Sequence, residues 1–216
     1  MRRLFLAVAA AAAFVYPVIG PAFARASAGQ AAPASQPAAG PNTWAVDTAH
    51  SSAGFSVKHM MVSTVRGTLG PVKGTIDYDG KSLESIKADI SIDVTGINTG
   101  VANRDNDLKS PNFFDVAKFP TATFKSKRVE GAGAGKFKLV GDLTLHGVTK
   151  EVTLDVEGPS TPIKTQQGGL KAGASATTTI NRKDFGLQYN QLIEAGPVVG
   201  DEIKVTIDVE ANKRAS

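Results

Sequence analysis

The chain has 216 residues, no cysteine, 24 Lys+Arg against 20 Asp+Glu, and 42% hydrophobic residues. The missing cysteine excludes a disulfide-stapled exported domain, thiolate metal sites, a cysteine nucleophile and a lipid-bearing cysteine. The formal charge of +4 does not mark a nucleic-acid binder, because no run of Lys or Arg interleaves with aromatic residues as a phosphate-tracking face requires.

The N-terminus reads as an export signal. Arg2 and Arg3 form a positive n-region, Leu4–Val15 is an apolar, alanine-rich run, and Pro17, Gly20 and Pro21 break it before Ala22-Phe23-Ala24, an A-x-A cleavage site. A second site lies at Ala26-Ser27-Ala28, so residues 1–28 are expected to be a signal peptide cut after Ala24 or Ala28. The prolines and the small-residue site argue against an uncleaved membrane anchor, and no stable membrane insertion is expected after cleavage. Arg2-Arg3-Leu4-Phe5-Leu6 is similar to the core of a twin-arginine signal. The usual preceding Ser/Thr and following Lys are absent, which favours general secretion. Loss of Arg2 and Arg3 leaves 22 cations against 20 acids, and the later cut also removes Arg25, so the mature protein is close to neutral. Residues 29–41 (GQAAPASQPAAGP) read as an Ala/Pro-rich disordered tether. Residues 42–213, about 170 in number, are long enough to bury one core without staples.

From Trp44 onward the pattern is one of strands, expected near 44–48, 53–60, 64–78, 85–95, 120–130, 136–146, 148–158, 171–182 and 201–211. In Ser85–Val94, Ile86, Ala88, Ile90, Ile92 and Val94 alternate with Ser85, Lys87, Asp89, Ser91 and Asp93, the period of a strand with one buried face. Ile203, Val205, Ile207 and Val209 alternate likewise with Glu202, Lys204, Thr206 and Asp208. Turn chemistry falls between the runs: Asp79-Gly80, the Gly131–Gly135 connection and His146-Gly147. The Gly-rich connection lacks Lys-Ser/Thr and a following helix, so it is not a phosphate loop. Many strands without a covering amphipathic helix leave a sandwich or a closed barrel, and the barrel readily makes a ligand chamber. The alternation stops between Asn98 and Pro120. A stretch of that length is rarely structureless in a compact domain, and it is expected to form one or two short helical turns across a barrel mouth with Phe113 and Phe114 tucked inward.

No constellation of catalytic residues stands out. The three histidines are His50, His59 and His146, with no local metal-ligand spacing among them. His59 shares a strand face with Phe55 and Val57 and should point toward the interior or its mouth. Gly173-Ala174-Ser175-Ala176-Thr177 lacks the closing glycine of a nucleophile elbow. Asp47, His50 and Ser51 are too close in sequence for triad geometry and suit a turn better. Arg104 and Lys109 flank the segment over the mouth. Arg182 continues the Ala176, Thr178, Ile180 face, which puts a guanidinium at the end of an apolar row, where it suits an anionic or polar head group. The competing reading is a salt bridge from Arg104 to Asp105 and from Arg182 to Asp184.

The runs WAVDTAHSSAGFSVKHMMVSTVRGTL, NRDNDLKSPNFFDVAKFPTATFKS, VGDLTLHGVTKEVTLDVE, INRKDFG and VGDEIKVTIDVEA, in this order along nearly the whole domain, resemble the signature blocks of the YceI-like polyisoprenoid-binding proteins. The resemblance implies an all-β fold, an eight-stranded antiparallel lipocalin-like barrel, with periplasmic location, a lumen for a long isoprenoid, and homodimers as one state of assembly. It also shows a departure: where that family commonly has His in its R-D-x-H-L block, this chain has Asp107 in Arg104-Asp105-Asn106-Asp107-Leu108. The acid removes a donor to an anionic head and adds negative charge, which disfavours pyrophosphate-headed ligands.

The expectation is therefore a non-enzymatic carrier with no cofactor and no metal. Its ligand would be an isoprenoid, quinone-like or fatty amphiphile held by Phe55, Val57, His59, Ile90, Ile92, Phe113, Phe114, Phe124 and Ile180, with Arg104 and Arg182 at the head group. Two rivals remain: an enzyme acting on a lipid in the same barrel with His59 as general base, and a ligand-free interaction module with a solid core. Inward Ala88, Ala172, Ala174 and Ala176 weigh against the solid core.

Overall fold

The computed structural model describes residues 40–166, 168–193 and 196–213. The expected signal peptide, and the tether up to residue 39, lie outside them. Strands follow in the order β1 (Thr43–Val46), β2 (Ser52–His59), β3 (Ser63–Thr68), β4 (Val72–Asp77), β5 (Lys87–Asp93), β6 (Thr121–Gly133), β7 (Lys136–Leu145), β8 (Val148–Glu157), β9 (Ile163–Lys164), β10 (Leu170–Asn181), β11 (Leu192–Ile193), β12 (Gly196–Pro197) and β13 (Val199–Lys213). One α-helix, α1 (Ala102–Lys109), and three short 3₁₀ turns complete the described elements. No helix among the described residues is long and apolar enough to cross a membrane.

The alternation read from the sequence is realised on β5, where Ala88, Ile90 and Ile92 are buried and Lys87 and Asp89 exposed. Eight antiparallel strands close the wall in the order β13, β1, β4, β5, β6, β7, β8 and β10, and β10 pairs back to β13 along its whole length, from Leu170↔Lys213 to Asn181↔Glu202. β13 also carries β2 on its other edge, and β3 pairs with β2. The run expected as one strand over 64–78 is two, β3 and β4. Pro71 has no N–H for a ladder, and Gly70 N–H instead donates to Asp93 O at 2.8 Å. His146 and Gly147 both have positive φ, 52° and 75°, the two-residue turn whose twist suits the β7–β8 hairpin.

The barrel has two unlike ends. At one end lie the β4–β5 and β6–β7 connections, the start of β1 and the end of β13. The other end receives Val94–Pro120 and residues 182–193 and 196–198. Here a second apolar cluster of Val94, Ala122, Leu145, Ile180, Phe185 and Leu187 fills the interior, with Phe114, Val116, Ile203 and Val205 packed against it. This end is plugged. The 98–120 segment does lie over a barrel end, helix included, yet it closes the filled end rather than the mouth of a chamber.

Candidate functional site

The other half of the barrel is hollow. A cavity of roughly 1200 Å³, counting the space at its openings, is lined by residues of every wall strand, and its surface is almost wholly carbon. Bulky groups line one side, among them Ile90, Ile92, Phe124, Phe137, Leu139 and Leu154. The facing side, from β10 and β13, sets the small residues Ala172, Gly173, Ala174, Ala176 and Ala211 beside Ile207 and Val209. Small side chains opposite large ones leave space instead of interdigitating, which is how a closed sheet keeps a chamber. Trp44 and Tyr78 stand at the far end, where the Trp44 indole N–H donates to Tyr78 O at 3.4 Å.

No lining residue is His, Asp, Glu, Lys or Arg. The hydroxyls of Tyr78, Thr123, Ser175 and Thr178 and the Trp44 indole N–H are the polar side-chain groups among the lining residues. Such a wall can hold an apolar chain by excluding water. It offers no charge to move a proton or to fix an anion inside.

The structure sorts the expected site residues into three groups. Ile90, Ile92 and Phe124 are on the cavity wall. Phe55, Val57 and His59 share the inward face of β2 with buried Ala53, as their parity requires, but they lie toward the plugged end and do not line the cavity. The same holds for Ile180, which is in the plug, and for Phe114, which packs against it. Phe113 is buried against Tyr189, with ring centroids 4.8 Å apart.

The two arginines correct the sequence reading. Arg182 is 2% exposed and is not at a rim. Its guanidinium donates to the carbonyls of Gly200 (2.9 Å), Leu187 (2.5 Å), Tyr189 (2.8 Å) and Val199 (3.4 Å), and to Asp201 Oδ1 (3.1 Å). Burial lowers its pKa from the ordinary arginine value while Asp201 opposes the shift. The expected partner Asp184 is not the one used, because Leu187 and Tyr189 after Phe185 and Val199, Gly200 and Asp201 at the start of β13 all turn acceptors to the same fork. Arg104 likewise turns inward on its own loop: Nε donates to Thr99 Oγ1 at 2.7 Å and Nη2 to Thr99 O at 3.1 Å. Asp105 accepts from Thr99 N–H (2.8 Å) and from its hydroxyl (2.5 Å), bonds that hold its pKa below the usual carboxylate value. Asp107 bonds Asn112 Nδ2 at 3.2 Å on the exposed side of α1 and faces no cavity.

The histidines are far apart. His146 Nδ1 lies 3.2 Å from Phe185 O and its ring meets Phe119 edge to face. His50 joins Asp47 and Glu210 in a cluster with metal-ligand atoms within 4.8 Å of one another. Lys171 Nζ already sits there, 2.5 Å from Glu210 Oε1 and 3.4 Å from Asp47 Oδ2, so an ammonium supplies the cation. The bonds from His50 and Asn212 push the Asp47 carboxyl far below its ordinary range.

Sequence reasoning passed over Trp44, Tyr78, Ile86, Phe137, Leu139, Val156, Ile207 and Val209. The signal for several of them is present in the sequence, since Ile86 belongs to the same alternating face as Ile90, and Ile207 and Val209 to that of Ile203 and Val205.

An eight-stranded antiparallel barrel with a closed end and an apolar chamber is the lipocalin-like class of protein. The YceI-like domain family matches residues 44–211. The chain belongs to that family. It is 38% identical to a UPF0312 protein of Staphylococcus aureus over 165 residues, 76% of this chain and 94% of the relative. Among solved structures, the Campylobacter jejuni YceI protein superposes with a TM-score of 0.63 at 34% identity, covering 73% of this chain and 90% of that one. BcnA of Burkholderia cenocepacia shares the fold with a TM-score of 0.65 at 22% identity, over 76% and 98% of the two chains. A polyisoprenoid-binding domain of Saccharophagus degradans, implicated in plant cell wall breakdown, shares it with a TM-score of 0.58 at 17% identity, over 79% and 98%.

Proposed function

We propose that the protein is a non-catalytic carrier, exported to the periplasm by the general secretory route, that holds a polyisoprenoid or a related quinone-like or fatty amphiphile in its barrel lumen. The observation that carries this reading is the apolar chamber between Trp44 and Val152, walled by alanines on one side and free of acids and bases. At about 30 Å³ per water-sized group, its space bounds the contents at roughly 40 carbon atoms. Ten buried carbons contribute about 8 kcal/mol gross at about 0.8 kcal/mol each. Ordering and immobilisation offset several kcal/mol of that, so useful affinity demands a long tail. Family membership and the fold shared with the Saccharophagus domain support the same ligand class. The reading includes homodimers as one state of assembly.

Trp44 is the only tryptophan and lines the chamber, so its emission reports occupancy directly. Delipidated protein titrated with prenols of increasing length is expected to bind more tightly with each isoprene unit until the chamber is full, then to level off. Affinity independent of chain length, or no change in emission at any length, contradicts the proposal.

A further inference from the structure

The barrel wall is not sealed all the way round. β8 and β10 are neighbours in the sheet, yet their ladder holds for only three pairs, Ser175↔Glu157, Ala176↔Val156 and Thr177↔Asp155. Toward the chamber end, Ser160 N–H to Gly173 O and Gly173 N–H to Ser160 Oγ continue the closure. Toward the plugged end it stops, although β8 runs back to Val148 and β10 on to Asn181, and although both keep full ladders with β7 and β13 on their outer sides. Continuing the register would pair Thr179 with Thr153 and Ile180 with Val152. In its place a single side chain bridges the strands, the Thr178 hydroxyl donating to Thr153 O at 2.8 Å.

A cleft follows this seam, lined by Lys150–Thr153 on β8, Thr178–Asn181 on β10, and Asp184 and Phe185 beyond. Val152 and Thr178 line both the cleft and the chamber. Both are half-buried although they belong to the inward faces of their strands. An open seam leaves backbone N–H and C=O groups facing each other without a ladder, and such groups need water or a ligand as partner.

We infer that the β8–β10 seam is the lateral entrance through which an amphiphile's tail reaches the lumen, and the seat at which its uncharged, hydrogen-bonding head rests. The inference rests on the carrier reading above. The two requirements of an amphiphile meet here, with an apolar route past Val152 on the inside and free backbone edges with Thr179 and Asn181 on the outside. The charges favour a neutral head over a phosphate. Lys127 is held by Asp142 (2.5 Å) and Glu151 (3.3 Å), and Arg128 by Glu130 (2.7 Å) and Glu151 (3.3 Å). Near the cleft, Lys150 and Lys204, the latter across the ladder from Thr179, have no ion pair among the described residues, but the acids Glu151 and Asp184 line the cleft and Glu202 stands across from Asn181. A hydroxyl or carbonyl needs none of these cations, whereas a pyrophosphate needs several.

The test is a staple. The chain has no cysteine, so Thr153→Cys with Thr179→Cys is a clean pair across the seam, and Thr144→Cys with Thr149→Cys is its control across the intact β7–β8 ladder. Uptake of geranylgeraniol is followed by Trp44 emission. Oxidation of the seam pair is expected to slow uptake at least tenfold and reduction to restore it, while the control pair leaves the rate unchanged. Thr178→Val, which removes the hydroxyl bridge at constant shape, is expected to speed uptake and needs no disulfide. Geranylgeranyl pyrophosphate is expected to be retained at least tenfold less well than the alcohol. If the unmodified protein takes up no geranylgeraniol, the carrier reading fails. If it does, and neither the staple nor Thr178→Val changes the rate, the entrance lies elsewhere and this inference alone is overturned. Pyrophosphate retained as well as the alcohol overturns the head-group assignment.

Discussion

Ala176 stands on the alanine side of the chamber, opposite Val156 and beside Ile207 in register. Ala176→Phe adds six carbon atoms to that wall. At about 30 Å³ per group they take roughly 180 Å³ of a space that is at most about 1200 Å³ with its openings counted. If they displace as many tail carbons, the loss is about 5 kcal/mol gross at about 0.8 kcal/mol per carbon. A flexible tail recovers part of this by shifting along the lumen, so a loss of at least about 2 kcal/mol is expected, about thirtyfold in Kd. Stability should move the other way. A ring placed in empty apolar space gains burial and makes no cavity, so Tm is expected to hold or rise. The assays are titration of a long prenol against wild type and variant, and thermal unfolding of both without ligand. Unchanged affinity refutes the assignment of the lumen as the ligand site. A steep fall in Tm refutes the hollow half itself, since a ring forced into a filled core costs typically 1–3 kcal/mol.

Other substitutions test the frame around the chamber. Arg182→Met removes five hydrogen bonds and leaves the Leu187, Tyr189 and Gly200 carbonyls without that donor, while Lys183 still pairs Asp201 and Asn190 still bonds Val199 O; a loss of about 3 kcal/mol is expected, roughly 5–10 °C in Tm for a domain of this size, and a change within 1 °C would refute its role in tying Leu187 and Tyr189 to the start of β13. Gly74→Ala is expected to cost at least about 3 kcal/mol, seen as lost soluble yield or a lowered urea midpoint, because φ is 141° and a Cβ would lie 2.1 Å from Asp89 O. The Asp47 carboxyl has a folded pKa below its unfolded one. Its contribution is therefore full above the ordinary carboxylate range near pH 4 and is lost as pH falls through the lowered value. Asp47→Asn should be less stable than wild type at pH 7, with a gap in chemical-denaturation midpoints that closes in acid; a gap that widens below pH 4 would reverse the assignment.

Alternation made the strands and their faces legible, because side-chain parity is a local property. It located β5, β7, β8, β10 and β13 to within a few residues, and it set Ala88, Ala172, Ala174 and Ala176 apart as small inward groups. Parity was also right for Phe55, Val57, His59 and Arg182. Their destinations were not legible, because those depend on distant segments. The plug that Ile180 joins is completed by Val94, Phe114, Val116, Phe185 and Leu187, from segments without periodicity. Two of the carbonyls that claim Arg182, those of Leu187 and Tyr189, come from a loop whose path no pattern announces. The unzipped seam was equally hidden: β8 and β10 alternate as cleanly beyond Thr177 as before it, and only the register of the folded chain shows the ladder ending.

The most direct test of the central claim is mass spectrometry of protein expressed with its own N-terminal segment and purified gently, under native conditions first and then after organic extraction. The account predicts one stoichiometric long-chain amphiphile per barrel, released on denaturation, with a mass that identifies an isoprenoid, quinone or fatty chain. A stable protein that carries no lipid and takes up no added prenol would contradict it.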